Sequence, residues 1–140
     1  MLHHAAVLQA AGCGQLIIAL MLDYEGLQVA YLGVALAHYL DVETGDIVDL
    51  ALDAEPPGDS DRFLRIPTRT PESEDEDRRL FVAKPEVREW RAALTPFVDT
   101  PMEFRRVLSQ DRRVERMFFN FKNDQATRAI EEWARAQGLS

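Results

Sequence analysis

Apolar and polar positions change their period several times along this chain, and each change predicts an element. From Leu27 the apolar residues Val29, Ala30, Leu32, Val34, Leu36 and Ala37 recur over a length that predicts a helix, with Gly33 as its weak point and Asp23 and Glu25 suited to its first turn. After His38 the runs YLDV and IVDLAL flank the polar ETGD, which predicts a β-hairpin over residues 39–52 whose turn needs the freedom of Gly45. Residues 53–61, DAEPPGDSD, hold two prolines, a glycine and four acids and read as a loop. RFLRIP follows as a short third strand stopped by Pro67.

The second half reads as helical. Thr70-Pro71 and Thr100-Pro101 each place an acceptor at the N-cap and a proline at the first helical position, and Glu103 stands where a capping box after Thr100 needs it. SEDEDRR, residues 73–79, reads as a solvated charged turn, and Leu80, Phe81, Val87, Trp90, Leu94, Phe97 and Val98 as an apolar stripe that Pro85 divides. Phe104, Val107 and Leu108 form one apolar edge, and Val114, Met117, Phe118 and Phe121 a second. Asn123 or Asp124 is the expected cap of a last helix that turns Ala126, Ala129, Ile130, Trp133 and Ala136 inward and ends at Gly138. The expected fold is α+β: a leading helix, a small antiparallel sheet made of a hairpin and a third strand, and four to six packed helices with a helical C-terminal half.

At 140 residues, 46% hydrophobic and 29% charged, the composition fits one globular domain over residues 21–140 and excludes global disorder. Residues 1–20 are expected to be an apolar extension, because MLDYEGLQVAYLG from Met21 reads as a natural beginning. The apolar run 5–22 lacks the basic start of a signal peptide, and Gln9, Gly12, Gly14 and Gln15 interrupt it as a membrane span. With one cysteine, Cys13, the chain has no internal disulfide, and a reducing cytosol is the expected compartment.

Charge is divided sharply. Residues 1–61 carry ten acids and no Lys or Arg, while the remainder carries 16 basic against 14 acidic residues, within a total of -8. An acidic chain repels nucleic acid at long range, so only a localised basic face could hold a polyanion. The candidate face is Arg105, Arg106, Arg112, Arg113, Arg116 and Lys122, a balance of +4 over residues 105–122 once Asp111 and Glu115 are counted. Helical spacing turns the neighbouring phenylalanines inward, which disfavours base stacking and leaves arginine recognition of an oxyanion.

Catalytic motifs are missing: no phosphate loop, nucleophile elbow or His-Glu-x-x-His is present, and His3, His4 and His38 are the only imidazoles. Cys13 has no basic neighbour to activate it. DVETGD, residues 41–46, places its glycine one position early for a calcium loop and reads as a hairpin turn. No catalytic residue, metal ligand or cofactor is implied. The leading functional expectation is a non-catalytic interaction or regulatory module meeting a protein or other anionic partner, with no membrane role and a homodimer as a candidate assembly. A nucleic-acid-associated protein and a hydrolase-like enzyme are the alternatives.

The ordered set HYLDVETGDIV, RFLRIP, MEFRRVL, RMFFNFKND and AIEEWARAQGL resembles the bacterial uncharacterised protein family 0158 over about residues 38–140. Met102-Glu103, Val107-Leu108 and Phe118 depart from that family's usual pattern. The resemblance implies an α+β domain and no activity. It lends Asp41, Thr44, Gly45, Phe104, Arg105, Arg106, Phe121, Lys122 and Trp133 the status of motif positions, which for Gly45, Phe104, Phe121 and Trp133 implies a role in the fold.

Overall fold

A computed structural model describes residues 5–9, 16–20 and 22–139. Strands β1 (Ala5–Gln9) and β2 (Leu16–Leu20) precede helix α1 (Tyr24–Leu32), then strands β3 (Leu36–Asp41), β4 (Ile47–Ala51) and β5 (Phe63–Arg65). Helices α2 (Pro71–Val82), α3 (Arg91–Leu94), α4 (Pro101–Leu108) and α5 (Arg112–Ala136) complete the chain, with single 3-10 turns at Pro85–Val87 and Thr95–Phe97. The fold class is α+β, with a three-stranded antiparallel sheet and a helical C-terminal half. Two compact units divide it: one combines the chain up to Thr68 with Thr127 onward, and the other is Arg69–Ala126.

In the first unit, β1 and β2 pair antiparallel with Ala5 opposite Leu20. Helix α1 is capped by the Asp23 carboxylate, which accepts from Gly26 N–H at 3.0 Å. It ends at Gly33 and not at Ala37 as the spacing predicts. Leu36 and Ala37 open strand β3, because the residues that follow form a central strand buried along its length.

Sheet order is β4-β3-β5, so β3 is central, and every residue of it after Leu36 is buried. The predicted hairpin is present and begins three residues earlier, with Leu36 opposite Ala51 and Leu40 opposite Ile47. Gly45 adopts φ 84°, and its N–H meets Asp41 O at 2.7 Å; a side chain there would be strained. Thr44 Oγ1 accepts from Asp46 N–H at 3.1 Å. The buried Asp41 carboxylate accepts from Glu43 N–H at 2.9 Å and from Arg62 through Nε at 3.0 Å and Nη2 at 2.8 Å. Three motif positions are thus parts of one turn.

Leu27, Ala30, Leu40, Ile66 and Ile130 form this unit's core, with Trp133 packed against it. The end of α5 closes with Leu139 N–H on Ala134 O and Gly138 N–H on Arg135 O, Gly138 having φ 75°. That pair of bonds is a Schellman ending and satisfies carbonyls the helix leaves over. Ala134 takes the buried position expected of Ala136, which is exposed.

The second unit centres on phenylalanines. Phe81, Val82, Val87, Leu94, Phe104, Leu108, Val114 and Phe118 are buried together. The Phe81 and Phe118 rings meet edge-on at 5.0 Å, Phe104 meets Phe118 at 5.2 Å, and Phe121 meets Phe81 at 5.8 Å. Leu80 leaves the predicted stripe for solvent and Val82 replaces it. A capping box does form, but at Thr70, where the Ser73 and Thr70 hydroxyls each accept the other's N–H at 3.0 Å. Thr100 makes no such bond, since its hydroxyl turns to Phe97 O and Glu103 pairs with Arg106. Arg91 holds the end of α2 by donating to Val82 O at 2.6 Å and Lys84 O at 2.9 Å.

Asn123 and Asp124 cap nothing, because α5 runs through them unbroken. Asp111 starts that helix instead, its carboxylate accepting from Arg113 N–H at 2.8 Å. A helix already nucleated by the Val114–Phe118 packing has no reason to restart twelve residues later.

Arg62 hydrogen bonding holds the Asp41 carboxyl at about 2, below its ordinary 3.8. Its stabilising contribution is therefore complete above pH 3.8 and is lost as pH falls toward about 2. Asp41→Asn is expected to lower stability at neutral pH and to flatten the loss of denaturation midpoint across that window. Urea titrations at a series of pH values check this, and an acid limb as steep as the wild type's would assign it to other carboxylates.

Candidate anion-binding site

Within the Arg69–Ala126 unit, three helices converge on a cavity of about 90 Å³ lined by Arg69, Glu74, Arg78, Pro101, Phe104, Arg105, Phe118, Phe119 and Lys122. Each contribution follows from local spacing. Arg69 stands just before the Thr70 cap, and Glu74 and Arg78 lie one turn apart on α2. On α4, burial of Phe104 leaves the adjacent Arg105 at the rim; on α5, Phe118 and Lys122 are four residues apart on one face.

The four cations are not equivalent. Arg78 is buried, donates to Val98 O, and pairs with Asp75. Arg69 is buried, and its Nη2 donates to Asp77 Oδ2 at 2.7 Å, while its Nε is buried with no hydrogen-bond partner among the described residues. Neither Arg105 nor Lys122 stands within ion-pair distance of a carboxylate among the described residues. Both cations lie over the Phe119 ring at 5.4 Å, and Lys122 also lies over Phe118 at 5.7 Å.

Burial dominates the titration of this cluster. It raises the Asp77 carboxyl above its ordinary range despite the opposing Arg69 charge and a Gln125 hydrogen bond. It lowers the Lys122 ammonium, and the positive charges of Arg69 and Arg105 add to the effect, against a smaller opposing influence of Glu74 and Asp77. A cationic site that loses part of its hydration is suited to an oxyanion. The volume is about three waters' share of the liquid, at roughly 30 Å³ each. It is well under the roughly 300 Å³ of a small-molecule pocket. The volume matches a single phosphate or carboxylate group.

Of the six cations that the sequence singles out, the cavity takes Arg105 and Lys122. Arg106 is exposed and pairs with Glu103 at 2.9 Å. Arg112 and Arg116 line a separate cavity with Glu115 and Phe119, and Arg113 points Nη1 at Met117 Sδ, 4.0 Å away. Sequence reasoning misses Arg69 and Arg78. It reads SEDEDRR as solvated, yet Asp77 and Arg78 are buried, because helical spacing turns them to the same side as the buried Phe81. The signal was an i, i+4 pair of Glu74 and Arg78 directly before an apolar run.

Phe104 is buried and Phe121 packs on the same core, while Trp133 packs in the other unit. His38 lies inside β3, not before it. Its ring is buried, with Nδ1 2.6 Å from Asp49 Oδ1 and Nε2 2.6 Å from Gly33 O, a fully engaged position. His3, His4 and Cys13 lie outside the described residues. Among the described residues no group of three or more His, Cys, Asp or Glu could hold a metal ion, and no helix is long and apolar enough to cross a membrane. No protein-family model, curated protein or solved structure matches the chain.

Asp77→Ala leaves the Arg69 guanidinium buried and unpaired, and is expected to cost about 3–5 kcal/mol in urea unfolding, most of it recovered in Arg69→Met/Asp77→Leu. A loss under about 1 kcal/mol would mean that the pair is effectively hydrated.

Proposed function

We propose that the chain is a non-catalytic interaction module of the cytosol, whose basic pocket receives one oxyanion group, a phosphate in the first instance, presented by an anionic partner. The observation that carries this reading is the combination at one cavity of the Arg69 guanidinium with two cations, Arg105 and Lys122, that have no carboxylate within ion-pair distance among the described residues. A bound oxyanion would pair with both cations at once. Cavity size favours a discrete anionic group over a polymer, and the overall charge of -8 works in the same direction.

Base stacking gains no support, since Phe104 and Phe118 are buried and Phe119 and Phe121 are part-buried against the same core. Family 0158 membership is proposed with it, on the order of the sequence motifs, and brings no activity of its own.

The test is calorimetric titration of the full chain with inorganic phosphate, and with a phosphoserine peptide and its unphosphorylated form. Arg105→Ala is expected to weaken phosphate and phosphopeptide binding by about tenfold or more. It should change stability by less than about 1 kcal/mol, since only an exposed cation-ring contact is lost. Arg106→Ala, outside the cavity, should bind as the wild type does. Equal effects of the two substitutions, or no phosphate binding at all, would overturn the reading.

A further inference from the structure

The chain uses arginine almost throughout: only Lys84 and Lys122 are lysines. The difference matters chemically, because a guanidinium does not deprotonate in proteins whereas an amine does, and the neutral amine is a nucleophile. Lys84 lies over the Phe121 ring at 5.4 Å and lines a different cavity, which includes the carboxylate of Asp124. Lys122 is the lysine placed among guanidiniums. Arg69 and Arg105 share its cavity, Arg78 stands on the same wall paired with Asp75, and Glu74 and Asp77 are the acids near it.

We propose that Lys122 is an acyl-acceptor lysine for acyl phosphates, and that its acylation closes the pocket to anionic partners. This rests on the oxyanion reading of the same cavity. The phosphoryl group of the acyl phosphate docks on Arg105, beside the Arg69 side chain that lines the same cavity, the position argued above for phosphate. That places the adjoining carbonyl carbon next to Lys122 Nζ. The neutral amine attacks this carbon and a C–N bond forms. The bond from the carbonyl carbon to the phosphate oxygen then breaks, and its electron pair leaves with inorganic phosphate. The proton released from nitrogen goes to the departing phosphate. The products are an amide at Lys122 and free phosphate, with no oxidant or reductant involved.

Two consequences follow for the pocket. Acylation removes one of the two lining cations without a carboxylate partner among the described residues, and the acyl group occupies space in a cavity of about 90 Å³. That volume restricts the acyl group to a short one such as acetyl. Desolvation together with the Arg69 and Arg105 charges supports the chemistry by raising the share of free amine over that of an ordinary lysine.

The experiment incubates the full chain with acetyl phosphate and follows acetylation of Lys122 and Lys84 by peptide mass spectrometry. Lys122 is expected to react roughly tenfold faster than Lys84 or more, because docking supplies proximity at one site only. Added inorganic phosphate should slow Lys122 and leave Lys84 unchanged. With 4-nitrophenyl acetate, which has no phosphoryl group to dock, the phosphate sensitivity should vanish. Protein acetylated at Lys122 should lose calorimetric phosphate binding. Equal rates at the two lysines, or a Lys122 rate indifferent to phosphate, would overturn the proposal while leaving phosphate binding intact. Absence of phosphate binding in the unmodified protein would instead sink the oxyanion reading and this proposal with it.

Discussion

Burial of three phenylalanine rings is the constraint on which the Arg69–Ala126 unit depends. Phe81, Phe104 and Phe118 come from three different helices and meet at 5.0–5.2 Å around Phe118. Each ring removes a large apolar area from water, and the ring contacts, edge-on for Phe81 and tilted for Phe104, add a smaller, geometry-dependent gain. Once Phe104 and Phe118 point inward, helical geometry leaves no choice about their neighbours. Arg105 is held at the rim and Lys122 stands one turn beyond Phe118, so the core that stabilises the unit also aims the cations.

Charge burial is the second organising effect, and it opposes the first. Arg69, Asp77 and Arg78 are taken out of water next to that apolar core, which is costly unless each charge finds partners. Asp75, Asp77 and the Val98 carbonyl meet most of the demand. The Arg69 Nε–H is the exception, and a buried donor without an acceptor costs free energy wherever it occurs. The same desolvation lowers the proton affinity of Lys122 and raises that of Asp77, opposite directions with a single cause.

In the sheet-bearing unit a comparable economy of parts appears at the hairpin. Asp41 ends the central strand, accepts from the turn backbone, and receives both prongs of Arg62 from the segment leading into β5. One carboxylate therefore joins the turn and the approach to the edge strand. This explains why Asp41, Thr44 and Gly45 stand out as a motif without any chemistry being assigned to them: a positive φ, a side-chain acceptor and a paired buried acid are what this turn needs.

Local and periodic features were legible in the residues themselves. The hairpin around Gly45, a short strand just before Pro67, the helix start at Thr70-Pro71, the inward phenylalanines and the Gly138 ending follow from backbone preference and apolar spacing, which act over a few residues. Tertiary structure decided what depends on partners far along the chain. Gly33 rather than Ala37 ends α1 because the following residues are claimed by a central strand, and α5 continues through Asn123-Asp124 because packing on both sides of that point outweighs a capping preference. The cavity belongs to the same class. Arg78 looks like a solvated charge in a polar run and Arg69 draws no notice, and only their burial beside residues 104–122 turns them into parts of a site, since solvation is a property of the assembled surroundings and not of the residue.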